Sequence, residues 1–224
     1  MSNGLVVSYP ARFAEAPAWN HLLMRIPWRR DPRDLVDLVE SLPADSVAID
    51  CGASVGDVTA ALARRCSRVV AFEPNPVAYG LLERRFRGKR HVHVEQAAVG
   101  AATGTRRLYL HVDHDVDPVG ASLGSSLYAS KLNVSSGRWV DVHVIDLDAF
   151  LGTFDAPVDL LKLDVEGAEV EILERMLETG RLASIGRVVV EMHDGVVPEI
   201  AERGERLRTA LDGEAYAHVA LDWR

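Results

Sequence analysis

Residues 47–56 read V-A-I-D-C-G-A-S-V-G, an apolar run that ends in Asp50 and leads into two glycines, Gly52 and Gly56. A second apolar run further along the chain ends in Glu73. A strand, a glycine turn, a helix start and an acid at the tip of the next strand are typical of a nucleoside-binding site in a Rossmann-type α/β fold. Glycines let the backbone approach a ligand closely, and the acid can accept hydrogen bonds from two ribose hydroxyls.

The glycine spacing indicates which nucleoside this site holds. The pattern is D-x-G-x-x-x-G, whereas the dinucleotide fingerprint is G-x-G-x-x-G. This difference favours S-adenosylmethionine (SAM), which has no pyrophosphate for a helix N-terminus to hold. We expect Gln96 at the edge of the adenine ring, with Ala97 leaving room for the base. The predicted cofactor-binding residues are Asp50, Gly52, Ala53, Ser54, Gly56, Glu73, Pro74, Gln96, Ala97 and Asp164.

The composition narrows the class of protein. A chain of 224 residues with 48% apolar and 26% charged residues is typical of one soluble globular domain. Its net charge of −8 disfavours a nucleic-acid partner, because phosphate binding needs a basic surface. Cys51 and Cys66 have neither a disulfide pattern nor metal-ligand spacing, and we expect no signal peptide and no membrane span. The sequence thus predicts a cytoplasmic protein with a small-molecule partner, in an oligomeric state that it does not reveal.

From residue 47 onward, apolar runs alternate with helical patterns. Strands are predicted at 47–50, 68–72, 91–95, 158–163 and 186–191, and helices at 56–65, 76–87, 167–178 and 196–211. The tail over residues 214–223 resembles an edge strand. This alternation predicts a single α/β domain over residues 47–224, with a mostly parallel twisted sheet and helices on both faces.

The segment before the domain, residues 1–46, is predicted to be helical or to form a lid over the cofactor. It contains Trp19 and Trp28, and Asp34–Leu42 has the apolar spacing of an amphipathic helix. A helix packed on the sheet explains the same pattern equally well.

An insertion interrupts the alternation after the third strand. Residues 97–112 predict a hairpin around the turn A-A-T-G-T, residues 113–137 a polar loop, and residues 139–145 another strand. Functional loops on such sheets lie at the carboxyl ends of the strands, so this insertion is a candidate for contact with the acceptor. The run H-V-D-H-D-V-D within it is interpreted as a solvated loop rather than a metal site.

The stretch L-L-K-L-D-V-E-G-A-E, residues 160–169, is the second informative part of the chain. Its leucines predict a buried strand, and Asp164 emerges at the carboxyl end of that strand. Lys162, Asp164 and Glu166 alternate, so they point to one side while the chain stays extended. Titratable groups in such a cleft are candidates for acid–base chemistry, although Glu166 could equally cap the next helix and Lys162 could pair with a carboxylate.

A third stretch, V-V-V-E-M-H at residues 188–193, ends another predicted central strand. Glu191 and His193 therefore lie at the same rim of the sheet as Asp164. A histidine is a natural general base because its ordinary pKa lies near 7, although a single histidine is often structural. The candidate catalytic residues are Lys162, Asp164, Glu166, Glu191 and His193.

Together these motifs resemble the FkbM family of SAM-dependent methyltransferases. The resemblance covers residues 47–195 and rests on V-A-I-D-C-G-A-S-V-G, A-F-E-P-N-P, Q-A-A-V-G, L-K-L-D-V-E-G-A-E and V-V-E-M-H, in that order. It implies a class I methyltransferase domain that methylates hydroxyls of natural products or sugars and releases S-adenosylhomocysteine (SAH). One departure is Ser54, where the family commonly has asparagine.

Methyl transfer is an in-line displacement, in which a hydroxyl oxygen must be oriented and its proton removed. We expect His193 or Asp164 to take that proton, with Glu166 and Glu191 as orienting groups. No metal site is predicted, but a metal-assisted reaction stays open, in which Asp164 and Glu191 hold Mg²⁺. Less favoured alternatives are an NAD-dependent oxidoreductase and a SAM-binding protein without catalytic activity.

Overall fold

The structure, a computed structural model, describes residues 32–221. Trp19, Trp28 and most of the predicted lid segment therefore lie outside the described residues, as does the end of the predicted tail strand. The helices are α1 (Pro32–Ser41), α2 (Asp57–Leu62), α3 (Pro76–Phe86), α4 (Leu147–Leu151), α5 (Glu169–Thr179) and α6 (Ala201–Leu211). The strands are β1 (Val47–Cys51), β2 (Arg68–Phe72), β3 (Val92–Glu95), β4 (Ala98–Gly100), β5 (Gly104–His111), β6 (Val134–Asp146), β7 (Leu160–Leu163), β8 (Arg187–Val190) and β9 (Val219–Leu221).

Six of these strands form the main sheet, in the order β3-β2-β1-β7-β8-β9. Every neighbouring pair in it is parallel, which confirms the predicted Rossmann-like class. The strand order reverses between β1 and β7, and ligands of such sheets bind at that point, outside the carboxyl ends of the strands.

Both faces of the sheet are covered by helices. Ala48, Val69, Leu160 and Val189 pack with α1 and α2 on one face. The alternate residues of the same strands pack with α4, α5 and α6 on the other. Burial on both faces explains why the strands read as continuous apolar runs. Within residues 32–221, no helix is both long enough and apolar enough to cross a membrane.

The inserted region differs from the predicted hairpin. β4 and β5 do not pair with each other; β6 lies between them, parallel to β4 and antiparallel to β5. The hairpin prediction is therefore wrong. The turn signal predicted that β4 and β5 pair with each other, but β6, a strand of 13 residues, lies between them. This second sheet stands beside the carboxyl ends of the main sheet, as predicted for the insertion, and its side chains line the central cavity.

Candidate functional site

The glycine turn after β1 is set by two close approaches. A Cβ on Gly52 would lie 1.8 Å from the carbonyl oxygen of Asp164, and the φ of Gly52 is +77°. Gly56 has a φ of +91°, and a Cβ there would lie 2.6 Å from the ring of Phe86. Only glycine combines these backbone angles with such contacts, so the turn brings β1 against both β7 and α3.

At one end of the cavity, backbone N–H groups hold the carboxylate of Glu73; we name it the ribose end, and the other end the methyl end, after the parts of SAM that are expected there. Glu73 is 6% exposed. Its Oε2 accepts the N–H of Ser54 at 2.7 Å, and its Oε1 accepts the N–H of Asn75 at 2.8 Å. Burial raises the pKa of Glu73 to about 7, although these two hydrogen bonds lower it. Each carboxylate oxygen has a second lone pair, as two ribose hydroxyls require.

The other predicted cofactor residues divide into two groups. Those that line the cavity are Gly52, Ala53, Ser54, Glu73, Pro74, Ala97 and Asp164. Asp50 and Gly56 do not line the cavity. Gln96 is exposed after the end of β3 and is not a lining residue either, so its place beside adenine stays a prediction.

A buried ion pair supports the turn from below. Lys162 is 2% exposed, and its Nζ lies 3.1 Å from Oδ1 of Asp50 and 3.4 Å from Oδ2 of Asp164. The same Nζ donates to the carbonyl oxygen of Gly52 at 2.8 Å. The Oδ2 of Asp50 accepts the hydroxyl of Thr59 at 2.6 Å. Lys162 thus connects the glycine turn to the end of β7, as in the alternative in which it pairs with a carboxylate.

Glu166 does not cap the helix that follows it. Its carboxylate contacts Lys131 and lies 3.2 Å from Nε2 of His193. Glu169 instead stabilises the turn before α5, because its carboxylate accepts hydrogen bonds from the N–H groups of Val165 and Gly167, each at 2.9 Å. Glu166 also has a φ of +61°, an uncommon angle for a residue with a side chain. Burial raises the pKa of Glu166, while His193 and Lys131 lower it.

His193 lies between two carboxylates. Its Nδ1 lies 2.9 Å from Glu169, which is fully buried, and its Nε2 faces Glu166. Burial alone would lower the pKa of His193, but Glu169, Glu166 and Asp164 together raise it to about 10. These carboxylates therefore favour the protonated form of the imidazole at neutral pH.

The methyl end of the cavity consists of Asp164, Glu166, Glu191 and His193, which emerge at the carboxyl ends of β7 and β8. All of them line the cavity, as does the fifth candidate, Lys162. Asp164, Glu191 and His193 each offer one ligand atom within 4.8 Å of the others. Among the described residues this is the group that could hold a metal ion; the predicted solvated run over residues 111–117 forms no such group.

One cavity of about 1270 Å³ contains both ends. Its far wall comes from the insertion, and the polar residues there are His111, Asp113, Asp117, Ser122, Ser125, Lys131 and Asn133. Hydrogen bonds attach this wall to the rest of the site, in addition to the contact of Lys131 with Glu166. Asn75 donates to the hydroxyl of Ser125 at 3.3 Å, and Ser126 donates to the carbonyl oxygen of Glu166 at 2.6 Å.

Two residues of the site escaped the sequence analysis, Glu169 and Lys131. Glu169 stands in the quoted motif L-K-L-D-V-E-G-A-E, and its spacing of one turn from Val165 was an available signal for a helix cap. Lys131 is 4% exposed, and its Nζ also donates to the carbonyl oxygen of Gly124 at 3.0 Å. The available signal was that this arginine-rich chain has lysine only at positions 89, 131 and 162, two of which are buried here.

The family described as the methyltransferase FkbM domain matches residues 50–217. The chain belongs to this family. The match spans both ends of the cavity and the insertion between them, and thus covers every catalytic candidate. The chain is therefore a methyltransferase.

Two curated relatives are similar over most of the chain. Hexuronic acid methyltransferase AglP of Haloferax volcanii is 28% identical over 87% of this chain and 75% of its own length. Methyltransferase 1 of Beauveria bassiana is 30% identical over 70% of this chain and 68% of its own length. Among solved structures, a Streptococcus mutans protein in complex with SAH superposes with a TM-score of 0.45 at 13% identity, covering 83% of this chain and 85% of that one. That superposition is too loose to identify a cofactor.

Proposed function

We propose that this methyltransferase uses SAM and methylates a hydroxyl of a small molecule, such as a natural product or a sugar. The observation that carries the proposal is the geometry of Glu73. Both of its carboxylate oxygens are fixed by backbone N–H groups at the carboxyl end of β2, and Glu73 lines one cavity with the acidic residues of the methyl end. An adenosine ribose on Glu73 leaves the sulfonium methyl to be directed along the cavity towards Asp164.

The acceptor class follows from the far wall of the cavity. Histidine, aspartate, serine and asparagine side chains line it and can exchange hydrogen bonds with several hydroxyls. The relative from Haloferax volcanii is named for hexuronic acid, a polyhydroxylated acceptor. With a net charge of −8, the chain is poorly suited to a nucleic-acid acceptor, so a small hydroxylated molecule is the proposed partner.

Transfer proceeds as an in-line displacement. The C–S bond of the sulfonium breaks as the C–O bond forms, SAH leaves, and the hydroxyl proton passes to a carboxylate. Orientation of the two reactants can contribute up to about 7–11 kcal/mol, and a general base typically adds about 10²–10⁴-fold.

Glu166 is the proposed acceptor of the proton. Its Oε2 contacts Lys131 and lies 3.2 Å from Nε2 of His193, and the residue lines the cavity. His193 is less suited, because both of its ring nitrogens face carboxylates.

Calorimetric titration with SAM and SAH tests the cofactor. We expect wild-type protein to bind both, and Glu73→Ala to weaken SAH binding by about 30-fold or more, since hydrogen bonds to a charged group contribute about 1.5–3 kcal/mol each. Glu95→Ala is the matched control, because Glu95 ends the neighbouring strand β3 and does not line the cavity. Absence of SAM and SAH binding by the wild type would reject the proposal, and binding of NAD instead would favour an oxidoreductase.

A second experiment tests the transfer. Protein is incubated with methyl-labelled SAM and a panel of hydroxylated acceptors that begins with hexuronic acids, and label is sought in the acceptor. Labelled ether product supports O-methylation. SAM binding without transfer to any member of the panel would instead favour a binding protein without catalytic activity.

A further inference from the structure

Two neighbouring strand ends bring three different ligand groups together. Asp164 follows β7, and Glu191 and His193 follow β8, so the register of a parallel pair places them side by side. One atom from each of the three lies within 4.8 Å of the other two. All three are partly exposed to the cavity, so the remaining coordination positions of an ion there are open to water or to an acceptor.

The imidazole of His193 is oriented as metal-binding histidines usually are. Its Nδ1 is hydrogen-bonded to Glu169 at 2.9 Å, so a cation would bind at Nε2, in place of the contact with Oε2 of Glu166 at 3.2 Å. Glu169 is itself fully buried and fixed by two backbone N–H groups. A carboxylate behind the ring fixes its orientation and strengthens it as a ligand, which distinguishes this arrangement from a simple cluster of acids.

The charges around the methyl end do not balance within the protein. The acids are Asp50, Asp164, Glu166, Glu169 and Glu191, and they share the ammonium groups of Lys131 and Lys162. The sulfonium of SAM would add one positive charge. With His193 in the neutral form that binds a cation, two negative charges then remain, which is the charge that one divalent cation neutralises; the cation takes the place of the proton on His193.

We infer that Asp164, Glu191 and Nε2 of His193 bind one divalent cation, which in turn binds the acceptor hydroxyl. This inference rests on the proposed function. Two carboxylates and one imidazole favour a transition-metal ion such as Mn²⁺ over Mg²⁺, which prefers a set of oxygen ligands alone. The ligand set thus differs from the Mg²⁺ pair considered from the sequence, since it includes the histidine.

The cation supplies what Glu166 alone does not. An alcohol bound to a divalent cation loses its proton more readily, because the ion stabilises the alkoxide oxygen. Glu166 accepts that proton, the alkoxide oxygen forms the new C–O bond to the methyl group, and the C–S electron pair stays on SAH. Glu166 lies beside the ion, since its Oε2 is 3.2 Å from Nε2 of His193.

Titration with Mn²⁺ tests the site without a known acceptor. Protein is treated with EDTA, desalted and titrated with Mn²⁺ in the presence of SAH, with unbound Mn²⁺ followed by electron paramagnetic resonance. We expect one ion per chain in the wild type, and binding at least about tenfold weaker in Glu191→Gln and in Asp164→Asn. The matched control is Asp113→Asn, which removes a carboxylate from the far wall of the same cavity and should change the affinity by less than about twofold.

The outcomes separate this inference from the proposed function. SAH binding by calorimetry shows that each variant is folded. SAH binding without Mn²⁺ binding, or Mn²⁺ binding that Glu191→Gln and Asp164→Asn leave unchanged, would overturn the cation site while the methyltransferase proposal stands. Mn²⁺ binding in a protein that binds neither SAM nor SAH would support the cation site and reject the proposed cofactor.

Discussion

Glu73 at the ribose end is held by two backbone N–H groups, whereas Glu166 at the methyl end is held by the side chains of Lys131 and His193. Both acids line one cavity, Glu73 buried and Glu166 half-buried, and loss of solvent raises the pKa of both. Backbone donors are fixed by the fold and carry no charge of their own to exchange. Side-chain partners can gain or lose protons and can move.

This difference assigns separate tasks to the two ends. The ribose end is suited to binding, since the backbone N–H groups that hold Glu73 are fixed by the fold. The methyl end is suited to chemistry, since charge and protons must be redistributed there as the methyl group passes. Substitutions at the first end should therefore change affinity, and substitutions at the second should change turnover.

The largest effect is expected where one side chain supports both ends. Lys162→Met should lower the free energy of unfolding by about 3–5 kcal/mol, because it leaves Asp50 charged, unpaired and fully buried. Urea unfolding measures this change. Lys89→Met is the matched control and should change stability by less than about 0.5 kcal/mol, since Lys89 is exposed. A Lys162→Met variant as stable as the wild type would show that the ion pair does not support the turn.

His193→Ala should separate chemistry from binding. Turnover on an acceptor found with labelled SAM should fall by about 10²-fold or more, with SAH affinity unchanged, because His193 lies at the methyl end and away from Glu73. His218→Ala controls for loss of an imidazole, since His218 bonds to the carbonyl oxygen of Leu182 near the edge strand β9. Unchanged turnover in His193→Ala would mean that this residue takes no part in the reaction.

The ribose end should respond to pH near neutrality. Ribose hydroxyls donate to the ionised form of Glu73, whose pKa is raised to about 7, so binding is favoured above that pH and weakened below it. SAH affinity should therefore rise by up to about tenfold between about pH 6 and pH 8. Calorimetry at several pH values measures the effect. Glu73→Gln should show no such dependence, and an equal slope in that variant would assign the dependence to another group.

The smallest effect concerns the backbone of the ribose end. Ser54 has a φ of +50°, an angle that asparagine tolerates better than serine, and its buried hydroxyl has no hydrogen-bond partner among the described residues. Ser54→Asn should therefore raise the free energy of unfolding by up to about 1 kcal/mol. Ser136→Asn is the control and should bring no gain, because Ser136 lies in strand β6. Thermal melting of both variants tests the prediction.

Most of the cofactor half could be predicted from the sequence, because its signals are local. The apolar runs of β1, β2, β7 and β8 are buried on both faces. The two glycines after β1 predict a tight turn there. The acids at the strand ends then follow from the rule that parallel strands present their carboxyl ends at one edge. The five catalytic candidates lie together for this reason.

What the sequence left open has physical causes as well. The place of Gln96 beside adenine rests on strand position alone and stays a prediction, since β3 ends at Glu95 and the next side chain is exposed. The role of Glu166 could not be separated from capping, because the choice depends on Lys131, which is distant in sequence. The hairpin prediction failed because pairing between neighbouring runs is only a tendency, and β6 forms the stronger partner for both β4 and β5.

The position of β6 between β4 and β5 has a consequence for the order in which the chain folds. β4 and β5 are close in sequence, yet neither has a partner in this sheet until β6 has been synthesised. Contacts between distant parts of a chain form slowly, because a loop must close before they contribute. The second sheet, and with it the far wall of the cavity, therefore forms late in folding. Until β6 has been synthesised, β4 and β5 have no partner in this sheet and are prone to aggregation.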